Sequence, residues 1–244
     1  MQITYTSISN IGDRNKNEDS WGIKTQKDFF LFAVADGLGG HGKGDVASNL
    51  AVQTISARFD KQQIIPAKPD MFLSELFLES QKKIMEKQQE ENSFEALKTT
   101  LSILLIGKNA AYLGYIGDTR IYHFRNNKIV LRTLDHSVPQ YLVDTGEIKE
   151  KKIRRHPDRN RLLRVLGIEW NVPRHQVYSP LTIHPGDAFL ICSDGFWEYI
   201  HERIMEKTLK KSASVHEWLD SMNTIVQRNK KNKDNNTAIA VWIR

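Results

Sequence analysis

The stretch FFLFAVADGLGGHGKG, residues 29–44, constrains the fold of this chain more than any other. Seven consecutive apolar residues run into Asp36, and five of the next eight residues are glycines. A short apolar run bounded by turn residues predicts a buried strand, which delivers Asp36 to the surface at its end. Glycines let the backbone approach a ligand closely. A carboxylate beside such backbone suits a hard metal ion or a phosphate, although an aspartate that caps the next helix has the same pattern.

The rest of the chain alternates between groups of strands and pairs of helices, which predicts an α+β fold. The links between strands in residues 111–133 are as short as hairpin turns, so we expect two mainly antiparallel sheets. Two strand groups and two helix pairs predict a four-layer α-β-β-α sandwich, each sheet being covered outside by helices. Strands are predicted at residues 2–9, 21–24, 29–35, 99–106, 111–116, 120–124, 128–133, 188–192 and 237–243. Helices are predicted at residues 45–59, 70–92, 138–144, 159–166, 197–210 and 215–228.

The composition is that of a globular protein without a disulfide or a zinc motif. Of the 244 residues, 40% are hydrophobic, which is enough for one large domain or two small ones. The single cysteine, Cys192, lies in the apolar stretch AFLIC and predicts a buried thiol. No apolar run approaches the ~20 residues that cross a bilayer, and the N-terminal residues lack a secretory pattern. We therefore expect a cytoplasmic protein with no membrane partner.

The formal charge of +6 raises the question of nucleic-acid binding. Much of the excess lies in residues 149–174 and 228–233 rather than along one amphipathic helix. Such clusters are typical of solvated surface, so we expect no nucleic-acid partner. Acidic or phosphorylated partners are the secondary interpretation.

Four aspartates stand at predicted strand ends: Asp36, Asp118, Asp194 and Asp234. If the last strand runs antiparallel to the strands that end at Asp36 and Asp194, these carboxylates gather at one mouth of the sheets. Clustered carboxylates repel one another, so either their pKa values rise or cations lie between them. Oxygen ligands favour Mg²⁺ or Mn²⁺, and two such ions can polarise a phosphoryl group together.

The loop GDRNKNED, residues 12–19, is richer in side-chain chemistry than a turn requires. Arg14 is the candidate phosphate ligand, because a guanidinium grips phosphate oxygens through two hydrogen bonds. Glu18 and Asp19 could orient waters on a metal ion, and the Gly37 carbonyl could complete a metal shell. Taken one at a time, Arg14, Glu18 and Asp19 are better explained as a solvated arginine and ordinary loop residues.

Five motifs in order resemble the metal-dependent serine/threonine phosphatases of the PP2C type, and the compact bacterial members most closely. They are RNKNED from Arg14, DGLGGH from Asp36, GDTR from Gly117, SDG from Ser193 and DNNT from Asp234. One such motif is weak evidence, whereas five in order are strong. The resemblance implies a single phosphatase domain over residues 1–244, with residues of about 135–175 forming a flap insertion.

The resemblance also implies the chemistry. Asp36 would bridge two metal ions, Mn²⁺ or Mg²⁺, and Asp194 and Asp234 would complete the shell of the first. The Gly37 carbonyl would bind the second ion, and Asp118 with Asp194 would hold a third, weaker one. Such enzymes hydrolyse phosphoserine and phosphothreonine by direct attack of metal-bound hydroxide, without a phosphoenzyme. Their substrates are phosphorylated proteins, commonly those of a cognate serine/threonine kinase.

One departure affects the proton donor. Eukaryotic members often carry a histidine directly after Asp-Gly, proposed as general acid, where this chain has Leu38. The proton for the leaving alkoxide must then come from elsewhere, for example from water. His41 is nearby, but a structural role in the glycine loop explains it better than a chemical one.

Two other functions stay open at this point. Gly37-x₄-Gly42-Lys43 is one residue short of a P-loop, although Gly44 occupies the position of the Mg²⁺-binding Ser or Thr. A P-loop nucleotide-binding protein would also need a parallel sheet. The second alternative is a pseudophosphatase, which would keep the fold and bind phosphoproteins without hydrolysing them.

Overall fold

The structure, a computed structural model, describes residues 2–38, 42–61, 68–93, 96–229 and 234–244. His41 and most of the basic stretch at 228–233, which the sequence analysis considered, lie outside these residues. No helix in the described ranges combines the length and apolarity that crossing a bilayer requires. Cys192 is buried and unpaired, as predicted.

Eleven strands and six α-helices are present in the described ranges. The strands are β1 Ile3–Asn10, β2 Asp19–Gln26, β3 Phe29–Asp36, β4 Leu101–Ile106, β5 Ala110–Ile116, β6 Arg120–Arg125, β7 Lys128–Arg132, β8 Gln176–Val177, β9 Leu181–Thr182, β10 Ala188–Cys192 and β11 Asn236–Ile243. The helices are α1 Gly44–Asp60, α2 Pro69–Glu90, α3 Val138–Asp144, α4 Asp194–Trp197, α5 Glu202–Lys211 and α6 Val215–Arg228, with a 3-10 helix at Glu150–Arg155.

The strands form two antiparallel sheets. Sheet A has the order β1-β11-β10-β6-β7, and sheet B has the order β2-β3-β4-β5-β8, with β9 also paired to β5. Every strand pair in both sheets is antiparallel. The predicted antiparallel α+β sandwich is therefore confirmed, and the P-loop alternative, which requires a parallel sheet, is wrong.

Three apolar layers separate the four layers of secondary structure. Along β3, Leu31, Ala33 and Ala35 pack with α1 and α2, whereas Phe32 and Val34 point into the layer between the sheets. A third layer joins sheet A to α4, α5 and α6. Because side chains alternate between the faces of a strand and both faces of β3 are covered, the strand has an uninterrupted apolar sequence.

The prediction of a helix at residues 159–166 is wrong, because the structure has turns and isolated bridges there. The backbone groups of this stretch pair with distant segments: Thr99 and Leu166 exchange both hydrogen bonds, and Leu163 N–H donates to the His136 carbonyl. These tertiary contacts override the apolar spacing on which the prediction was based. The predicted helix at residues 197–210 is divided into α4 and α5, and the 3-10 helix, β8 and β9 were not predicted.

Candidate active site

The predicted aspartates from both sheets line one cleft of about 400 Å³. Asp36 ends β3 in sheet B, Asp194 follows β10 in sheet A, and Asp234 precedes β11. The expected geometry was only half right, because β11 pairs with β10 and β1 but not with β3. Asp36 reaches the cleft from the opposite sheet. The cleft is lined by Arg14, Glu18, Asp36, Gly37, Leu38, Asp118, Asn160, Leu162, Asp194, Asp234 and Asn235.

Two glycines allow the acidic segments to approach this closely. A Cβ on Gly37 would lie 2.2 Å from the Gly44 carbonyl oxygen and 2.8 Å from that of Glu18. A Cβ on Gly195 would lie 2.1 Å from the Asn235 carbonyl oxygen. Real side chains do not tolerate such distances, so each Asp-Gly pair places a carboxylate where backbone from another segment is in contact.

Burial and mutual repulsion dominate the electrostatics of the cleft. The pKa of Asp36 lies well above its usual range, because the carboxyl is buried and because Asp194, Asp19 and Asp118 are close to it. Burial and Asp194 likewise raise the pKa of Asp118, and burial and Asp234 raise that of Asp194. The cluster therefore concentrates negative charge that needs compensation.

Asp19 lies behind the cleft rather than in its lining. It is the register partner of Asp36 on the neighbouring strand, and its Oδ2 accepts a hydrogen bond of 2.8 Å from Ser193 Oγ. Burial raises the pKa of Asp19 to about 7. Its other oxygen, Oδ1, is buried without a hydrogen-bond partner. Glu18, by contrast, lines the cleft. Partial burial raises its pKa most, and the negative charge of Asp45 raises it further.

The chemistry of this donor set fits hard divalent cations. All the ligands expected from the sequence are carboxylate or carbonyl oxygens, which Mg²⁺ and Mn²⁺ prefer. The raised pKa values and the orphaned Asp19 oxygen show a charge excess that cations would relieve. Within the described residues, no three His, Cys, Asp or Glu side chains stand in a ready-made metal-holding group.

Arg14, the predicted phosphate ligand, and Asp234, a predicted metal ligand, form an ion pair. Arg14 Nη2 donates to Asp234 Oδ2 at 2.7 Å, with side-chain exposures of 55% and 33%. The hydrogen bond and charge of Asp234 raise the pKa of Arg14. Binding of a phosphate by Arg14 therefore requires this partly exposed ion pair to open or to be shared.

Asn235 fixes the Arg14 loop, a role that the sequence analysis did not assign. Its Nδ2 donates to the carbonyls of Ile11 and Lys16, and its Oδ1 accepts from Glu18 N–H at 2.8 Å. The signal was available in the adjacent asparagines of DNNT, since an asparagine can donate and accept at once. Asn160 and Leu162 of the predicted flap also line the cleft, and no sequence pattern singles them out.

A buried network supports the turn that carries Asp118. Trp197 Nε1 donates to the Asp118 carbonyl at 2.9 Å, and the Arg120 guanidinium lies 3.4 Å from the centre of a Trp197 ring. Arg120 is itself held by two hydrogen bonds to Asp135, of 2.8 and 2.7 Å. Trp197 belongs to α4, which Asp194 begins, so one short helix links the positions of both acids.

His136 joins the Asp118 turn to the segment at 159–166. Gly117 N–H donates to His136 Nδ1 at 3.2 Å, and the ring stacks on Tyr115 with centroids 4.7 Å apart. Burial and, to a smaller extent, the charge of Arg164 lower the pKa of His136 to about 4. The folded protein therefore keeps this ring neutral at pH 7.

The neutral His136 ring predicts a loss of stability in acid. The unfolded state binds a proton near pH 6.5 and the folded state only near pH 4, so stability falls as the pH drops through this window. Between pH 6.5 and 5 wild type should lose about 1.5 kcal/mol more unfolding free energy than His136→Gln, measured by urea denaturation. The exposed-site control His216→Gln should follow wild type, and equal losses in wild type and His136→Gln would contradict the assignment.

The comparisons with known proteins agree on the family. A sequence model described as Protein phosphatase 2C matches residues 8–243. Over 210 residues the chain is 34% identical to the serine/threonine phosphatase stp of Listeria welshimeri. This alignment covers 85% of this chain and 82% of the Listeria protein.

Solved structures agree in fold over the whole chain. The serine/threonine phosphatase Stp1 of Staphylococcus aureus superposes with a TM-score of 0.91 at 26% identity, covering 100% of this chain and 96% of that one. The catalytic domain of the phosphatase PstP, solved with two manganese ions, gives a TM-score of 0.79 at 26% identity and covers 99% of both chains. Together with the sequence match, these likenesses establish that the chain belongs to the protein phosphatase 2C family.

Proposed function

We propose that this protein is a metal-dependent phosphoprotein phosphatase that hydrolyses phosphoserine and phosphothreonine monoesters. The observation that carries the proposal is the cleft that the buried Asp118 and the half-buried Asp36 and Asp194 line together with Arg14. Family membership supports it, as do the relatives named serine/threonine phosphatases. Phosphoryl transfer needs positioning and charge compensation more than covalent chemistry, and this cleft offers both.

The residues that would hold the ions are those expected from the sequence. Asp36, Asp194, Asp234 and the Gly37 carbonyl would hold two divalent ions, Mn²⁺ or Mg²⁺, and Asp118 with Asp194 would hold a third. Bound ions of this kind would polarise phosphoryl oxygens and lower the pKa of water. As the family resemblance implies, hydrolysis would then be a direct attack on the phosphate, without a phosphoenzyme. The two manganese ions in the related PstP structure support the choice of a divalent metal.

The remaining residues bind and orient. Arg14 would leave Asp234 and grip the substrate phosphate, which couples phosphate binding to release of the Asp234 carboxylate. Asn235 keeps the Arg14 loop beside the cleft, and Ser193 and Asp19 brace the strand that carries Asp36. Leu38 lines the cleft and carries no proton, so we assign protonation of the leaving alkoxide to water.

The chain would act as one domain with a flap. The family match spans residues 8–243, and Asn160 and Leu162 of the segment at 135–175 line the cleft. Surface segments over a cleft commonly select substrates. We therefore propose that this flap discriminates among phosphorylated proteins in the cytoplasm, including those of a cognate serine/threonine kinase.

The pseudophosphatase alternative is disfavoured, because every acidic residue of the five motifs is present and the cited relatives are named phosphatases. It predicts phosphopeptide binding without turnover under all metal conditions. Turnover that appears with Mn²⁺ and disappears with a chelator separates the two functions directly.

Asp36→Asn should abolish Mn²⁺-dependent hydrolysis of p-nitrophenyl phosphate and of a phosphothreonine peptide. The loss should exceed the roughly 100-fold that follows removal of an outer partner of a metal site, since a residue proposed to hold the ions is itself changed. Asp28→Asn is the matched control, because Asp28 is an exposed residue just before the opposite end of the same strand, β3. Steady-state kinetics at saturating Mn²⁺ provide the measurement; a fully active Asp36→Asn enzyme would refute the site.

Arg14→Gln should raise KM for the phosphopeptide by roughly 10- to 100-fold while kcat changes less. A charge-assisted hydrogen bond of about 1.5–3 kcal/mol is lost in the bound complex. Lys16→Gln removes an exposed cation from the same loop, one that pairs with Asp45 outside the cleft, and should leave KM unchanged. The role of Arg14 is disproved by an unaltered KM at saturating metal.

A further inference from the structure

A second cavity lies on the side of sheet A that α5 covers, apart from the acidic cleft. Its volume is about 340 Å³, within the range of small-molecule sites, which starts at about 300 Å³. The 3-10 helix, the edge of sheet A and the start of α5 enclose it. Its lining, which shares no residue with the cleft, consists of Arg120, Arg132, Glu150, Lys151, Ile153, Arg154, His201 and Glu202.

Positive charge exceeds negative charge in this lining. Four cationic side chains face two carboxylates, and Asp135, which holds Arg120, adds a third carboxylate from behind. Arg120, Arg132 and Arg154 have side-chain exposures of only 3%, 10% and 11%. Guanidinium groups removed from water in this way need acceptors for their hydrogen-bond donors.

Asp135 and Tyr122 accept from all three guanidinium nitrogens of Arg120, but acceptors are too few for the other cations. Glu202 Oε1 contacts both Arg154 Nη2 and, at 3.7 Å, Arg120 Nη1. Arg154 Nη1 is buried and has no hydrogen-bond partner. Lys151 is exposed at the rim, and no carboxylate among the described residues forms an ion pair with it. An anion with several oxygens would satisfy donors that one shared carboxylate cannot.

Glu150 already shows where such an anion would bind. Its carboxylate accepts from Arg132 Nη2 at 2.7 Å, yet the Glu150 side chain is 66% exposed whereas Arg132 is nearly buried. An exposed partner contributes little net stability to an ion pair, so an incoming anion could displace it at small cost. The buried Arg132 would then exchange one carboxylate for a ligand of higher charge.

We propose that this cavity binds a phosphate dianion as a second, non-catalytic anion site. The dianion has a tetrahedral set of acceptor oxygens, which match the several guanidinium donors better than a planar carboxylate does. It could come from free inorganic phosphate or from a second phosphorylated side chain of a bound substrate. The site is independent of turnover, so it stands even if the proposed phosphatase activity fails.

Equilibrium dialysis with labelled inorganic phosphate, on the full chain in Mg²⁺, tests the proposal by counting bound equivalents. The double variant Arg132→Gln/Lys151→Gln should bind one equivalent fewer than wild type, since two charged contacts worth roughly 100-fold in affinity are lost. The control Arg203→Gln/Lys207→Gln removes two exposed cations from α5 outside the cavity and should match wild type. Because the criterion is a difference of one equivalent, phosphate in the acidic cleft does not affect it.

Two single variants distinguish a specific loss of phosphate binding from a general loss of folding. Lys151→Gln alone changes an exposed side chain and should weaken the site about tenfold. Glu150→Gln removes the competing carboxylate and should tighten phosphate binding about two- to fivefold, a gain that a damaged protein would not show. A Glu150→Gln protein that binds phosphate no better than wild type would contradict the displacement argument.

A second experiment distinguishes free inorganic phosphate from a phosphorylated side chain as the bound anion. If the site takes a phosphorylated side chain, a doubly phosphorylated peptide should have a lower KM than its singly phosphorylated counterpart, and the advantage should vanish in Arg132→Gln/Lys151→Gln. If it takes free phosphate, dialysis alone shows the extra equivalent. Equal phosphate binding by wild type and the double variant, with no difference between the peptides, overturns the proposal.

Discussion

The repulsion among buried carboxylates at the joint mouth of the two sheets is the constraint on which the rest of the site depends. Asp118 is buried and Asp36 and Asp194 are half-buried; Asp194 and Asp118 raise the pKa of Asp36, and Asp194 raises that of Asp118. Such an arrangement opposes folding unless protons or cations compensate the charge. A four-layer sandwich with three apolar layers supplies the stability that tolerates it. The clustered acids therefore lower the stability of the fold, and their role in the proposed function accounts for their presence.

The support of the cleft comes from residues behind its lining. Gly37 and Gly195 permit backbone contacts that bring acids from the two sheets together. Trp197 links the Asp118 turn to the helix that Asp194 begins, and Asn235 holds the loop that carries Arg14. Each of these contacts joins segments that are far apart in sequence. The geometry of the cleft is thus a property of the whole sandwich.

The sequence predicted what depends on local pattern and on motif order. The apolar run at 29–35 predicted β3, and the spacing of apolar residues predicted α1 and α6 within one or two residues of their observed bounds. The five motifs predicted the family. Patterns that depend on tertiary pairing were missed: residues 159–166 have helical spacing, yet backbone groups of Leu163 and Leu166 are hydrogen-bonded to His136 and Thr99 instead. No sequence rule reports that Arg14 pairs with Asp234, because only the fold brings them together.

The most direct test of the account is the free energy of unfolding of wild type and Asp36→Asn, measured by denaturant with and without Mn²⁺. Compensation of the clustered charge predicts that Mn²⁺ stabilises wild type by about 3 kcal/mol at a hundredfold excess over its dissociation constant. Without Mn²⁺, Asp36→Asn should be at least as stable as wild type, and it should gain less from the ion. A wild-type protein that Mn²⁺ leaves unchanged would contradict the central claim that these carboxylates are held together to bind cations.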